Sequence, residues 1–516
     1  MNADQARALL AEAGAALVAA VLIGGCGNNY RPVVTPVNTS GPPAQPTAYA
    51  VVVSSTGSNT PGVVTIVDYS GDSVMVEAPI GLGPLSFALD EAGGTGYTIN
   101  SDATITNFPV STQLQQKLEG VTTLSATAQP LNMLAPPNDL LVADLNGNFA
   151  DLFSYSPKTF QLAVPVATTP VIAAGAPSFS TGREYFISDN FADSTGVACD
   201  ISPTTAPAAG AATPIENSSR SADPAISLGK CPVYAVESPD QQRLFVMNRG
   251  DDTISVINTQ ANGLDACTPF VDQTGQTVYC HPTLPLSLNA VNAINAQCTI
   301  NHSTLPPCGG PPNGTSGMKN AAGPIYAEYN QATNQLVVAD FDGGAISVID
   351  VSLDAYGNDS PTFGTTYTIP VGNNPASVTV LYDGSRAYSA NQADETVTVV
   401  NLSSHTVEKT LGVVGHPRTV VSVQNSEYSK VYVASPDSPY LTIISSTPTQ
   451  IDQVDTAVSV EGNVVDVRTT NQNGGTGNAN FTSRLPGYGE PCNLPPGLMV
   501  STYGPSYSLA DCQAIP

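Results

Sequence analysis

The stretch LVVADFDGGAISVID, residues 336–350, decides the predicted fold of this chain. It contains two runs rich in Val, Ile and Ala, separated by a short turn of Asp and Gly residues. Short β-branched runs bounded by turn residues are typical of antiparallel strands joined as a hairpin. The same phrase returns as LFVMNRGDDTISVIN, AYSANQADETVTVVN and VYVASPDSPYLTIIS, and looser copies occupy 96–110, 140–155 and 183–199. No segment after residue 30 has a helical period, so we predict an all-β protein.

A proline or a glycine begins each repeated unit. These landmarks are Pro84, Pro130, Pro170, Pro232, Pro324, Pro375, Pro417 and Gly462. Most are spaced by about 40 to 50 residues, which is the length of a four-stranded propeller blade. Two units are longer: one carries the Ala/Thr/Pro-rich stretch 203–225, and the other carries an insertion with four cysteines at 259–322.

The two ends of the repeat region together supply the strands of one further blade. Three strand candidates precede the first landmark, at 48–55, 63–70 and 73–81, and one follows the last, at 463–470. Joining them would make a full blade and protect strand edges that would otherwise be open. We therefore predict a single β-propeller over 48–470, with eight four-stranded blades and a ring closed by the N- and C-terminal strands. Seven blades is the alternative, if the loose unit at 171–231 is not a blade.

The phrases at 244–258, 336–350 and 387–401 resemble the YVTN-type β-propeller repeat. That repeat is found in bacterial and archaeal exported and surface-layer proteins and in relatives of the lactonase-type propellers. The resemblance is clear over 233–446 and weaker over 48–232. It implies a fold, but no activity, because propellers host many unrelated functions.

The N-terminal segment predicts export. The apolar run 13–25 is too short to span a bilayer and fits the h-region of a signal peptide. Residues 23–26 resemble a bacterial lipobox, which implies a signal peptide over 1–26 and lipid attachment at Cys26. Arg7 is the single cation before the run, whereas a signal peptide favours net positive charge. Plain secretion and a buried apolar helix therefore stay open as alternatives.

Residues 27–47 are rich in Pro, Asn and Thr, and we predict that they form an extended tether. We expect the protein to be lipid-anchored at the cell envelope, on the outer membrane. Contact with the membrane would be through the anchor alone, and the propeller head would be monomeric.

Eight cysteines remain once Cys26 is set aside. An even number in an exported chain predicts four disulfides, although sequence cannot fix their connectivity. We favour pairing between neighbours: Cys199–Cys231, Cys267–Cys280, Cys298–Cys308 and Cys492–Cys512. The last pair lies in a polar tail, 471–516. A zinc site is the competing interpretation, but the chain has no CxxC pair.

Acidic residues recur in the predicted turns between the second and third strands of the blades. Converging carboxylates attract metal ions or cationic ligands, but Asp is also a common turn residue because its side chain bonds the local backbone. The candidate ligand-binding acids are Asp102, Asp144, Asp189, Asp251, Asp340, Asp394 and Asp437.

Asp144, Asn146 and Asn148 alternate as the ligands of a calcium loop do, although the glycine falls one place early and no closing Glu follows. Turn chemistry is therefore the favoured interpretation of this spacing, and calcium or another divalent cation is the alternative and the cofactor to expect if the loop binds a metal. His416 and Arg418 form a candidate acid/base or anion-binding pair, which Asp394 or Asp437 could complete. A surface histidine beside a turn proline is the simpler interpretation of that pair.

The charge balance excludes some functions. With 16 basic and 42 acidic residues the formal net charge is −26, so binding to nucleic acid is ruled out as a main function. The chain has no Walker A loop, HExxH or CxxCH motif. Our leading hypothesis is a non-enzymatic binding or scaffold module for an envelope or extracellular protein or a small ligand. The alternative is a lactonase-like hydrolase or isomerase with a metal in the central channel, although four histidines are few for that role.

Overall fold

The computed structural model describes residues 49–470, with gaps at 91–92, 111–119, 125–127, 129, 136–138, 145–148, 156–157, 167–169, 173–181, 189–208, 217, 273–274, 287–321, 424–428 and 448–449. The predicted signal peptide, tether and C-terminal tail lie outside these residues. So do the following cysteines: Cys26, Cys199, Cys298, Cys308, Cys492 and Cys512. Within the described part, the helical element is a single 3-10 turn at Gln392–Asp394, and no helix could cross a membrane.

The described strands form eight antiparallel sheets of four or five strands and one separate strand pair. The chain enters the first sheet as β1 (Tyr49–Ser55), β2 (Pro61–Asp68) and β3 (Val74–Leu82). The second sheet is built from β4 (Pro84–Leu89), β5 (Thr95–Asn100), β6 (Thr104–Pro109) and β7 (Gly120–Thr123). The third sheet is built from β8 (Pro130–Leu134), β9 (Asp139–Asp144), β10 (Phe149–Tyr155) and β11 (Lys158–Pro165).

The fourth and fifth sheets have a divided outer strand. The fourth contains β12 (Pro170–Ile172), β13 (Arg183–Ser188), β14 (Ala209–Glu216), β15 (Ser221–Ala222) and β16 (Ile226–Lys230), and β14 pairs with both β15 and β16. The fifth contains β17 (Pro232–Glu237), β18 (Arg243–Asn248), β19 (Thr253–Asn258), β20 (Gly263–Leu264) and β23 (Thr283–Pro285). Between the last two lies the separate pair of β21 (Phe270–Val271) and β22 (Thr277–Val278). Part of the predicted insertion 259–322 thus pairs with β19 as the outer edge of the fifth sheet.

The remaining sheets are regular. The sixth contains β24 (Pro324–Asn330), β25 (Gln335–Asp340), β26 (Ala345–Asp350) and β27 (Thr366–Pro370). The seventh contains β28 (Pro375–Val380), β29 (Arg386–Asn391), β30 (Thr396–Asn401) and β31 (Thr406–Gly412). The eighth contains β32 (Thr419–Ser422), β33 (Lys430–Ala434), β34 (Tyr440–Thr447) and β35 (Gln450–Ser459). Finally, β36 (Asn463–Thr469) pairs with β1, so the first sheet has the order β3-β2-β1-β36.

Six of the landmark prolines begin the strand that we call the first strand of a sheet, and the seventh, Pro417, lies two residues before β32. Pro84, Pro232 and Pro375 each pair with the last residue of the next strand, and a register shift follows at once. A proline is tolerated there because it cannot donate to the ladder and suits a strand start or a bulge. The first strands of neighbouring sheets contact one another.

Most central strands are buried on both faces, which explains their continuous Val and Ile runs. The hydrophobic clusters lie between successive sheets. One cluster joins Val52 of the first sheet to Tyr432 of the eighth, and another joins Phe186 of the fourth to Leu141 of the third. The core is therefore a series of apolar layers between sheets, and the polar groups are left to the strand ends and the first strands.

Candidate functional site

One end of the sheets carries the turns in which the acids were predicted. We call it the turn face, and its described turns between second and third strands are residues 56–60, 101–103, 249–252, 341–344, 392–395 and 435–439. The connections to the next first strand reach the same end. Contacts between sheets place these segments side by side: Ser101 Oγ donates to the Ser58 carbonyl at 2.5 Å, and Asn374 Nδ2 donates to the Phe341 carbonyl at 3.4 Å.

Three predicted acids accept a backbone N–H from the connection that enters their own sheet. Asp251 Oδ2 accepts from Lys230 N at 2.9 Å, and Asp394 Oδ2 accepts from Asn373 N at 2.6 Å. Asp437 Oδ1 accepts from His416 N at 2.8 Å. This recurring bond explains why an acid returns in the turns, because the N–H before a first strand needs an acceptor.

The other predicted acids are placed differently. Asp102 is exposed and accepts from Thr104 N and Oγ1, at 3.2 and 2.6 Å. Asp144 and Asp340 are the last residues of strands and are buried, so neither lies in an open turn. Asp189, Asn146 and Asn148 lie outside the described residues. Within the described ranges, no group of three or more His, Cys, Asp and Glu side chains is arranged to hold a metal ion.

Asp340 stands where three other sheets have a buried Asn. In the seventh sheet Asn391 Nδ2 donates to the hydroxyls of Thr396 and Thr398, at 3.1 and 2.7 Å, and Asn100 and Asn248 repeat the pattern. In the sixth sheet, Ala345 stands opposite Asp340, at the position that Thr396 has opposite Asn391. The hydroxyl that Thr396 offers in the seventh sheet is therefore missing.

The Asp340 carboxyl is consequently under-satisfied. Ser347 Oγ donates to its Oδ2 at 2.6 Å, but its Oδ1 has no hydrogen-bond partner among the described residues, and the residue is 1% exposed. Burial raises the pKa of Asp340 to about 8, and the charge of Asp252 adds to the shift. Burial likewise raises the pKa of Asp252 to about 6, although its Oδ1 accepts from Gly323 N at 2.8 Å.

The predicted pair His416 and Arg418 is separated by burial. His416 Nδ1 lies 2.6 Å from Asp437 Oδ2, and its Nε2 lies 3.5 Å from Glu395 Oε1. The hydrogen bond to Asp437 raises the pKa of His416 above its usual value, against the opposing effect of burial. Arg418 is instead fully buried, at 2% exposure.

The pKa of Asp437 moves in the opposite direction. Burial opposes its ionisation, but the hydrogen bonds from His416 outweigh burial and lower the pKa. The two residues therefore form a hydrogen-bonded pair in which each favours the charged form of the other, with Glu395 on the other side of the ring. Asp394 bonds Asn373 through both its oxygens instead of joining His416.

Polar side chains on the first strands form a second cluster, which sequence reasoning missed. Ser377 Oγ donates to the Arg418 carbonyl at 2.7 Å and accepts from Val420 N at 3.1 Å, and Glu328 Oε1 accepts from Val380 N at 3.0 Å. Each side chain thus satisfies the open backbone edge of the next first strand. The available signal was a polar residue two places after a landmark proline, as in Ser86, Asn132, Tyr234, Tyr326, Ser377 and Thr419.

This second cluster holds its own counter-ion. Arg468 Nε and Nη2 lie 3.1 and 2.9 Å from Asp466 Oδ2, and both residues are buried. The Arg468 charge also acts on Tyr326, whose ring centroid lies 4.5 Å from that of Tyr234. Burial raises the pKa of Glu328 to about 7, while its hydrogen bonds and Arg468 oppose the shift.

Comparison with known proteins places the fold. No protein-family model and no curated protein matches the sequence. Among solved structures the chain is similar to apo AztD from Citrobacter koseri, with a TM-score of 0.51 and 11% identity over 82% of this chain and 97% of that one. It is also similar to the dihydro-heme d1 dehydrogenase NirN in complex with DHE, with a TM-score of 0.53 and 14% identity over 84% of this chain and 78% of that one. Both are propeller-type folds. The all-β, propeller-type prediction is therefore confirmed, and identities this low extend the likeness no further than the fold.

Proposed function

We propose that this protein is a binding module of the cell envelope, an eight-bladed propeller whose turn face attracts a cationic ligand. Eight blades are supported by the contacts of the first strands, which follow the cyclic order β4-β8-β12-β17-β24-β28-β32-β36 and return to β4. Pairing of β36 with β1 supports closure by the two ends of the repeat region. The YVTN-type resemblance and the lipid anchor at Cys26 belong to the same proposal.

The observation that carries this function is the unbalanced charge of the described residues of the turn face. Asp102, Asp251, Asp394 and Glu395 are exposed there. The neighbouring cations are engaged: Arg249 binds Asp342 through two bonds of 2.8 Å, and His416 binds Asp437. Lys230 is exposed on this face but does not balance four carboxylates. Because the turns already hold these carboxylates in place, a cation would find oriented oxygens without a large ordering cost.

Two observations make a hydrolase or isomerase the second candidate, because both argue against it. Arg468 already occupies the charged layer between the first strands and neutralises Asp466, where the alternative would need a metal ion. His416, the candidate acid/base residue, has a carboxylate at each ring nitrogen, Asp437 Oδ2 at 2.6 Å and Glu395 Oε1 at 3.5 Å, so a substrate would have to displace Glu395 to reach the ring.

A melting-temperature titration tests the proposal. Calcium, magnesium, manganese and spermidine are each added to the purified head, and a bound ligand at a hundredfold excess over its dissociation constant would raise the free energy of unfolding by about 2.7 kcal/mol. We expect the response to weaken in the double variant Asp251→Asn, Asp394→Asn.

Asp383→Asn is the matched control. Asp383 accepts from Ser385 N and Oγ in a turn at the opposite end of the seventh sheet, so its loss should leave the response unchanged. A melting temperature indifferent to all four cations would refute a cation-binding face. An equal loss of response in the control and the double variant would show that the effect is unspecific screening.

A further inference from the structure

A short hairpin leaves the fifth sheet at its outer edge and is fixed at its base by a covalent bond. We call the described residues 265–272 and 275–282 the stapled hairpin, because a disulfide joins Cys267 and Cys280. This pair is the neighbour pairing expected from the sequence. Strands β21 and β22 lie beyond the disulfide, and Gln276 N donates to Asp272 Oδ1 at 2.8 Å in the turn between them.

Four buried or half-buried polar side chains fasten the same base to the sixth sheet. Arg243 Nη2 lies 3.3 Å from Asp265 Oδ1 and 3.2 Å from Asp359 Oδ1. His281 Nδ1 lies 2.8 Å from Asp359 Oδ2, and its ring stacks on Phe363 with centroids 5.1 Å apart. Burial raises the pKa of Asp359, against the hydrogen bond from His281. These contacts hold the base of the hairpin against the sixth sheet on both sides of the disulfide.

Beyond this rigid base the surface is unusually apolar. Val271 is 65% exposed, Tyr279 57% and Phe270 44%, and Tyr356 on the neighbouring loop of the sixth sheet is 62% exposed. That loop adjoins the hairpin base, since the Gly357 carbonyl accepts from Arg243 Nη2 at 3.2 Å. Large side chains exposed together on a rigid support indicate an interaction surface.

The charge around these side chains has one sign. The Asp272 carboxylate, at the hairpin turn, acts electrostatically on Asp354 in the neighbouring loop. The described residues of 251–286 and 322–385 contain no Lys or Arg. Arg243 forms ion pairs with two buried aspartates, Asp265 and Asp359. In the described part of the chain, the segments that form this surface therefore combine aromatic faces with carboxylates and contribute no exposed Lys or Arg.

We propose that the stapled hairpin, together with Tyr356, is a docking surface for a basic polypeptide segment. Lys and Arg side chains of the partner would lie over the tyrosine rings and pair with Asp272 and Asp354. A second copy of this chain is a poor occupant, because the formal net charge of −26 repels it, and anionic lipid is disfavoured for the same reason. The rigid base lowers the ordering cost of binding. This surface is separate from the turn face.

Fluorescence anisotropy tests the proposal with a fluorescein-labelled decapeptide of alternating Arg and Ala, and a Glu–Ala decapeptide as the charge-reversed probe. We expect the Arg–Ala peptide to bind and the Glu–Ala peptide not to bind. The double variant Tyr279→Ala, Tyr356→Ala should weaken binding by about tenfold, since two cation–π contacts are lost. The double variant Asp272→Asn, Asp354→Asn should flatten the salt dependence.

Two controls separate this surface from the rest of the molecule. Tyr382→Ala with Tyr440→Ala removes two other exposed tyrosines and should leave the affinity unchanged. In the turn-face variant Asp251→Asn, Asp394→Asn, the added substitutions Tyr279→Ala and Tyr356→Ala should weaken binding by the same factor as in the wild type, so failure of the cation proposal and failure of this one are distinguishable. Equal binding by the hairpin variants and the wild type would overturn the proposal, as would equal binding of the two peptides. Self-association abolished by Tyr279→Ala in sedimentation would overturn it in favour of a second copy.

Discussion

Replacing Asp340 with Asn should stabilise the protein, and the gain should grow as the pH rises. The amide would restore the residue that the second, fifth and seventh sheets have at this position. Ser347 is placed to accept from it, as Ser255 accepts from Asn248 at 2.9 Å. The substitution changes no volume and removes a buried carboxyl with an unsatisfied oxygen among the described residues.

The magnitude follows from the pKa of Asp340, which is about 8 in the folded protein against about 3.9 in an unfolded chain. The folded pKa is raised, so the unfolded state releases its proton first as the pH increases. The free energy of unfolding therefore falls between about pH 4 and pH 8 and levels off above that range. At about 1.4 kcal/mol for each unit, the loss has an upper limit of about 6 kcal/mol, and we expect about 2 to 5 kcal/mol after relaxation. The Asn variant lacks this loss.

Denaturant unfolding at pH 4.5, 6, 7.5 and 9 measures the effect. The stability difference between variant and wild type should be small at pH 4.5 and reach its full value near pH 9. Asn391→Asp is the reciprocal variant, since it introduces the same acid at the matching position of the seventh sheet, and it should create a loss of stability over the same pH range. Parallel pH profiles for wild type and Asp340→Asn would refute the reasoning, and so would a stability gain already complete at pH 4.5.

Three further predictions concern the anchor, the disulfides and the turn-face histidine. Cys26→Ala should abolish palmitate labelling and globomycin-sensitive processing, and a variant that still partitions with membranes as before would contradict lipid attachment. Thiol titration of the denatured, unreduced mature head should find close to no free thiol, whereas two or more would show that the eight cysteines do not all pair. His416→Ala should destabilise the fold by about 1 kcal/mol below pH 6, because the folded pKa of His416 is raised and its contribution is present below the unfolded pKa. That contribution should disappear as the pH passes above the folded pKa, and an equal destabilisation at pH 6 and pH 9 would rule out a role for the charge.

The fold was predictable because a proline recurs in the sequence at nearly every start of a first strand. Pro84, Pro232 and Pro375 each stand at the start of a first strand, where a residue without an N–H is tolerated, so their spacing reports the length of a sheet. The terminal strands could be matched by simple counting, and β36 does pair with β1. The divided outer strands of the fourth and fifth sheets were not predictable, because β15 and β20 are two residues long and carry no periodic pattern.

The candidate site was predictable as a place but not as a set of contacts. Aspartates recur in the turns, and the sequence alone could not tell a backbone acceptor from a cation ligand. The structure places Asp251, Asp394 and Asp437 on backbone N–H groups of the incoming connection. The Arg468–Asp466 pair could not be foreseen, because the two residues lie on β36 and act on tyrosines more than a hundred residues earlier in the chain.

Two departures from the repeat lie in the neighbouring fifth and sixth sheets. Asp340 replaces the recurring Asn, Ala345 replaces its hydroxyl partner, and the outer strand of the fifth sheet opens into the stapled hairpin. A repeat protein can keep each sheet consistent with its neighbours at no structural cost, so local departures that leave a buried acid under-satisfied or expose aromatic side chains require another reason. Binding is such a reason, since a partner can form hydrogen bonds and apolar contacts with groups that have none within the fold. The fifth and sixth sheets are therefore where a partner of this protein should first be sought.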